Sequence, residues 1–305
     1  MSSEETLKQS TVGENITDVI KKVLVINCAV NIPLAMTSII GNLLVLHAVW
    51  KTPTLRVPSM VLLCGLALSD LAVGAVVEPL FITDNLIRLY CKSERLKSLF
   101  MRVYNVFGFT LCGISLCTVT AVCVDRLVAI QKPFQYPSIV TIPRVRRVLV
   151  AIWIFCVVLA SAHFLHETIE LVSAGVVVCA CLFISAFSHV KIYKLVRDHH
   201  HWIQMQLQAV EANNPITGNV NNMSGLKKSS LNALIVLLVL IACYCPYILV
   251  DVVSLVYPIN PFLSSSLAST VVFINSALNP FLYCWRISEI REVVKQTCHK
   301  LVCCK

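Results

Sequence analysis

Seven stretches of this chain are each long and apolar enough to cross a lipid bilayer, and that restricts its fold more than any other feature. A spanning helix needs roughly 20 mostly apolar residues. This criterion selects 23–50, 58–83, 99–130, 144–166, 169–197, 226–256 and 262–284. Inside hydrocarbon every backbone N–H and C=O must be satisfied within the chain, so such segments fold as α-helices. With 57% apolar and 13% charged residues over 305 positions, a water-soluble domain would lack the core to hide this surface. The expected fold is an all-α membrane protein, a seven-transmembrane-helix bundle with a short amphipathic eighth helix. Residues 1–22 read as an extracellular amino-terminal tail, 23–284 as the bundle, and 285–305 as helix eight with a cytosolic tail.

Pro33, Pro79, Pro246 and Pro280 fall inside the first, second, sixth and seventh spans and are expected to kink them. Most of the 25 Lys and Arg lie in the loops that are cytosolic if the amino terminus is outside, which is the distribution of an inserted membrane protein. The net charge of +9 therefore calls for anionic lipid headgroups and not for nucleic acid. Residues 1–22 lack the charged start, apolar run and cleavage site of a signal peptide, so the first span is expected to act as signal anchor. Asn15 heads an outer-side glycosylation sequon, and Asn222 heads a second one on the cytosolic side that should stay bare. Most of the 15 cysteines lie within spans or at the cytosolic end. Cys298, Cys303 and Cys304 follow an amphipathic stretch and suit palmitoylation. The connection 198–225 reads as a helix extension followed by a flexible linker.

Ionisable groups at bilayer depth are costly, so each needs a partner or a function. Asp70 sits in the middle of the second span, while Asn275 and Asn279 lie four apart on the seventh with Ser276 beside them. Ser115 and Asn42 complete a set able to surround one carboxylate. A sodium ion with water, with Asp70 as its charged ligand, and a purely structural hydrogen-bond network both satisfy it. Asp125-Arg126 ends the third span as an adjacent pair of opposite charges.

Gly41-Asn42, Leu66-Ala67-Leu68-Ser69-Asp70, Asp125-Arg126-Leu127, Trp153, Cys243-Tyr244-Cys245-Pro246 and Asn279-Pro280-Phe281-Leu282-Tyr283 resemble, in order and in location, the helix signatures of rhodopsin-like (class A) G-protein-coupled receptors. With Met101 at the place of the outer helix-three cysteine, no proline in the fifth span, only a few residues around His166–Thr168 between spans four and five, and Asn275–Pro280 running into Tyr283-Cys284-Trp285-Arg286, the chain most resembles the group of melanocortin, cannabinoid, lysophospholipid and adenosine receptors. This likeness implies a plasma-membrane receptor, not an enzyme, that binds an extracellular peptide, lipid or nucleoside-like ligand and activates a heterotrimeric G protein. It also implies a sodium pocket at Asp70, Ser115, Asn275, Ser276 and Asn279, with sodium as an allosteric ligand and no other cofactor. Arg126 matches the arginine that Asp125 holds at rest, Pro246 the hinge of helix six, and Tyr283 the tyrosine after Pro280 that moves inward. Phe134 matches the bulky residue that docks on the G protein.

Several residues depart from that pattern. Tyr244 replaces the usual toggle tryptophan, Leu127 the tyrosine after the arginine, and His189 a helix-five tyrosine. Met101 stands where the outer cysteine of helix three is usual, so the common disulfide to the second outer loop is expected to be absent. Gly108 and Phe273 occupy the positions of the amine-binding aspartate and the retinal lysine, which disfavours both ligand classes. The ligand candidates are Glu78, Asp84, Phe109, Cys112, Tyr247, Asp251, Ser269 and Phe273. Their carboxylates complement a cationic or strongly hydrogen-bonding ligand, or else Glu78 and Asp251 pair with Arg88 or Arg102 or reach the membrane interface. A transporter or channel is the alternative class, although the fourth and fifth spans offer no continuous polar path.

Overall fold

In the computed structural model the backbone is described for residues 3–55, 57–161, 167–211, 222–256 and 262–303, and it contains no strand among them. The long helices are α1 (Ser3–Lys51), α2 (Pro58–Tyr90), α3 (Glu94–Gln131), α4 (Ile142–Ser161), α5 (Glu167–Glu211), α6 (Asn222–Val256) and α7 (Phe262–Arg286). A further helix, α8 (Ser288–Cys303), follows after a break at Ile287. α3 packs on α2, α4 and α5, while α7 packs on both α1 and α6 and so closes the bundle. Phe183 of α5 and Ile154 of α4 point outward, 73% and 60% exposed, a surface suited to lipid tails. α8 buries Ile290 completely and lays Val293 and Val294 against the core.

Two helix starts differ from the sequence reading. α1 begins at Ser3, so the segment read as a tail continues the first helix; Glu4, Glu5, Leu7, Lys8 and Gln9 are good helix formers and no proline precedes Pro33. α6 begins at Asn222, before the expected 226. α4 ends at Ser161, and the expected continuation to 166 lies outside the described residues. The expected extension of α5 runs to Glu211, and the linker predicted beyond it falls mostly in 212–221, also outside them.

The prolines act differently from one another. Pro33, Pro246 and Pro280 sit inside continuous helices. Pro79 instead follows a π-helical turn at Val73–Val77 that divides α2. Proline has no N–H to give and crowds the carbonyl four residues back, so the preceding turn widens. Gly74 in that turn abuts α1, since a Cβ there would come within 2.9 Å of the Ser38 Cβ. Gly41 likewise faces Pro280, where a Cβ would meet the ring at 2.8 Å. These two contacts set α1 against α2 and α7.

Candidate functional site

Asp70 is fully buried at the centre of the bundle. Its Oδ1 accepts from the hydroxyls of Ser115 on α3 (2.6 Å) and Ser276 on α7 (2.8 Å), and its Oδ2 from the Asn279 amide (2.7 Å). Ser38 of α1 donates to the Asp70 carbonyl at 2.8 Å, and Asn42 donates to the carbonyls of Ser38 (2.8 Å) and Ser276 (3.3 Å). The side chain of Asp70 thereby joins α2, α3 and α7, and its backbone carbonyl adds α1. Asn275 is buried nearby but makes no bond to Asp70, and its Nδ2 has no hydrogen-bond partner. It lies one turn, about 6 Å, outward from Asn279 along α7, while the carboxylate is already taken by nearer donors.

Outward of this cluster lies a cavity of about 510 Å³. Of the ligand candidates, Asp84, Phe109, Cys112 and Tyr247 line it, and so do Asp251, Ser269 and Phe273. Tyr104 donates to Ser269 at 3.1 Å across the cavity wall, and Phe81 packs edge-on against Phe273 with ring centroids 5.3 Å apart. Tyr244, at the toggle position, borders the same space and is 4% exposed. Glu78 departs from expectation: it is completely enclosed, does not border the cavity, and neither carboxylate oxygen has a hydrogen-bond partner. The physical reason is the π turn, which adds a residue just before Glu78 and rotates the helix beyond it by roughly a quarter turn. Arg88 pairs instead with Asp84, Nε to Oδ2 at 2.7 Å. Cys91 is unpaired, and Met101 lines the cavity.

Near the end of α3 remote from the cavity, Asp125 is buried and Arg126 partly exposed, with Nε 3.8 Å from Oδ2. The closer partner of Asp125 is Tyr136, which donates to Oδ1 at 2.8 Å from the one-turn helix Tyr136–Ile139. Burial and the Asp125 carboxylate push the Tyr136 phenol up to about 12, so it stays a donor. Phe134, in the turn before it, is 98% exposed. Tyr283 is buried, and its hydroxyl has no hydrogen-bond partner.

Residues 41–283 match the family model of the 7 transmembrane receptor (rhodopsin family). The chain is a member of that family. Melanocortin receptor 4 of Danio rerio is 26% identical to the receptor over 301 residues, covering 92% of this chain and 85% of the relative. Melanocortin receptor 3 of Rattus norvegicus is 26% identical and that of Homo sapiens 25%, each over 273 residues, covering 86% of this chain and 82% of the relative. The receptor is thus a multi-pass membrane protein with melanocortin-receptor-like relatives, and receptors of this family are not enzymes.

The receptor also holds a polar network absent from the sequence reading. Asn27 and Asn31 of α1 meet Thr270 of α7, with Asn31 Nδ2 donating to Thr270 Oγ1 at 2.8 Å and Thr270 donating to Asn27 Oδ1 at 2.9 Å. Ser266 extends it to Asn85 of α2 at 3.0 Å. Two asparagines four apart in an apolar span were the available signal. Cys298 is exposed on α8; Cys303 ends that helix, and Cys304 lies outside the described residues. Asn15 lies on the backbone of α1, and its side chain is not among those described.

Proposed function

We propose that the receptor takes an extracellular ligand into the cavity and passes its arrival to a heterotrimeric G protein. It sits in the plasma membrane with its amino terminus outside, Asn15 glycosylated and Cys298, Cys303 and Cys304 available for palmitoylation. The observation that carries this reading is the position of the Asp70 cluster: it ties α2, α3 and α7 together between the cavity, bordered by Tyr244 and Phe273, and the cytosolic pair Asp125-Arg126. A ligand that repacks the outer halves of α6 and α7 changes the hydrogen bonds Asp70 receives from α7. Pro246, which removes one backbone hydrogen bond from α6, is the place for that helix to swing outward. Opening exposes Arg126 to the G protein, with Phe134 as the apolar contact beside it.

Asp70, Ser115 and Ser276 also fit a sodium ion. They combine one carboxylate with two hydroxyls that can turn their lone pairs inward, and the nearby Asn42 Oδ1 lacks a donor. An ion there holds α2, α3 and α7 in the resting arrangement. The relatives' names put melanocortin-type ligands in the first screen, beside lipid and nucleoside-like ones. The test is nucleotide exchange on purified G proteins by membranes holding the receptor, with and without such ligands. Arg126→Ala should lose exchange by tenfold or more, about 1.4 kcal/mol, with ligand binding retained. Undiminished exchange by that variant overturns the proposal.

A further inference from the structure

The outer end of α2 carries a pair of charges that the coupling route does not use. Asp84, 4% exposed, borders the cavity. Its Oδ2 accepts from Arg88 at 2.7 Å, whereas its Oδ1 is shielded from water and has no hydrogen-bond partner. Arg88, one turn further out, also borders the cavity; its side chain is 25% exposed and its guanidinium lies 4.8 Å over the ring of Phe262 at the start of α7. The contact with Asp84 is made by Nε, so the outer edge between the two terminal nitrogens stays available to another acceptor. A carboxylate with one oxygen unsatisfied and a guanidinium with its outer edge available thus sit side by side at the mouth of a cavity whose deeper walls are mainly aliphatic and aromatic, such as Phe81, Leu116 and Val272.

We infer that this pair is a subsite for a zwitterionic head group, with the ligand's apolar body lying deeper in the cavity. A cation alone placed on Asp84 Oδ1 would stand beside Arg88 and be repelled by it, and an anion alone on Arg88 would face Asp84. A head group carrying an ammonium and a carboxylate or phosphate a few ångströms apart avoids both conflicts. The ammonium meets the Asp84 carboxylate as its shielded Oδ1 turns into the cavity, the anion meets the Arg88 fork, and charges alternate around a closed square. Phe262 fixes the guanidinium plane so that the fork is aligned before the ligand arrives. The inference rests on the cavity being the ligand site, and it narrows the cationic or strongly hydrogen-bonding ligand expected from the carboxylates, because Arg88 already neutralises one of them. Two sources carry this chemistry: apolar α-amino acids and single-chain phospholipids with an ammonium head.

The test uses full-length receptor purified in a non-ionic detergent and reads its thermal unfolding, since a bound ligand raises the midpoint. The probes are L-tryptophan, N-acetyl-L-tryptophan (anion only), L-tryptophan methyl ester (cation only) and a lysophosphatidylethanolamine. At least one zwitterion should stabilise the receptor, at concentrations at least about tenfold below either single-charge analogue. Which zwitterion acts identifies the source. In Asp84→Asn the advantage of L-tryptophan over its N-acetyl form, or the whole lipid effect, should vanish; in Arg88→Gln the advantage over the methyl ester should vanish. The comparison within the unmodified receptor stands even if a variant folds poorly. No shift with any probe, equal shifts with the single-charge analogues, or an unchanged ranking in both variants overturns the subsite. Nucleotide exchange on the same preparations, with and without the probes, is the separate check: exchange without a zwitterion preference sinks the subsite alone, and a zwitterion preference without exchange in either condition sinks the signalling proposal alone.

Discussion

The Asn279 amide donates to Asp70 Oδ2 at 2.7 Å, so the turn of α7 that contains Pro280 is fastened to the middle of α2. Ser115 and Ser276 share the other oxygen. Asp70→Asn keeps the size of the side chain and removes its charge, and with it the reason for a cation to bind. In the unmodified receptor, sodium should weaken agonist affinity by about fivefold or more, the usual size of coupling between sites. In Asp70→Asn the affinities with sodium and with a large organic cation should agree. Equal sodium sensitivity in both reduces the cluster to a structural network.

Tyr136 and Arg126 compete for Asp125. Tyr136 holds Oδ1 at 2.8 Å, while Arg126 stands 3.8 Å from Oδ2. Tyr136→Phe removes the nearer partner and lets Asp125 close fully on the arginine. Agonist-free G-protein turnover should then fall by about fivefold, the equivalent of one net hydrogen bond of about 1 kcal/mol. Since the phenol is pushed up to about 12, the turnover should not change with pH between neutrality and mild alkalinity through this group. A rise in turnover would show that Tyr136 restrains the receptor instead.

The first turns of α6 carry Leu226, Lys227 and Lys228 and no carboxylate in the sequence 222–231. Arg286, at the end of α7, lies within electrostatic reach of Arg126 and adds a like charge. The sequence at that end of α6 offers Arg126 no acidic residue to pair with. Leu226→Glu supplies one. A partly exposed ion pair contributes ~0.2–1 kcal/mol, so basal turnover should drop by about 1.4- to 5-fold at matched surface expression. Unchanged turnover means that some other contact sets the resting activity.

Topology is tested by the two sequons. Asn15 should carry a glycan removable by an endoglycosidase, seen as a mobility shift that Asn15→Gln abolishes. Asn222, at the start of α6, should carry none. Sugar on Asn222 would place the amino terminus inside.

The bundle was legible because lipid permits few backbone structures, so apolar length alone locates the spans. Five of the helices meet that criterion within the described residues. Asp70, Ser115, Ser276 and Asn279 were legible too, since polar residues in apolar spans must find one another. Their spacing, however, also pointed to Asn275, which makes no bond to Asp70, because periodicity fixes a face of α7 but not which turn of it stands level with Asp70 on α2. Glu78 was misplaced for a related reason: a kink at Pro79 was expected but not a change of helical phase, and the π turn ahead of Pro79 rotated Glu78 out of the cavity wall.

The amino-acid sequence by itself determined the membrane fold, the family and the residue types at its polar centre, because the cost of burying charge and backbone in hydrocarbon leaves few alternatives. Only the tertiary structure decided which partners those residues take. That Arg88 pairs with Asp84 and stacks on Phe262, that Tyr136 occupies Asp125, and that Asn27, Asn31 and Thr270 join α1 to α7 all depend on how helices distant in sequence cross. Contacts such as those of Gly41 with Pro280 and Gly74 with Ser38 set those crossings, and a few tenths of an ångström at such points decide which side chains come within hydrogen-bonding distance.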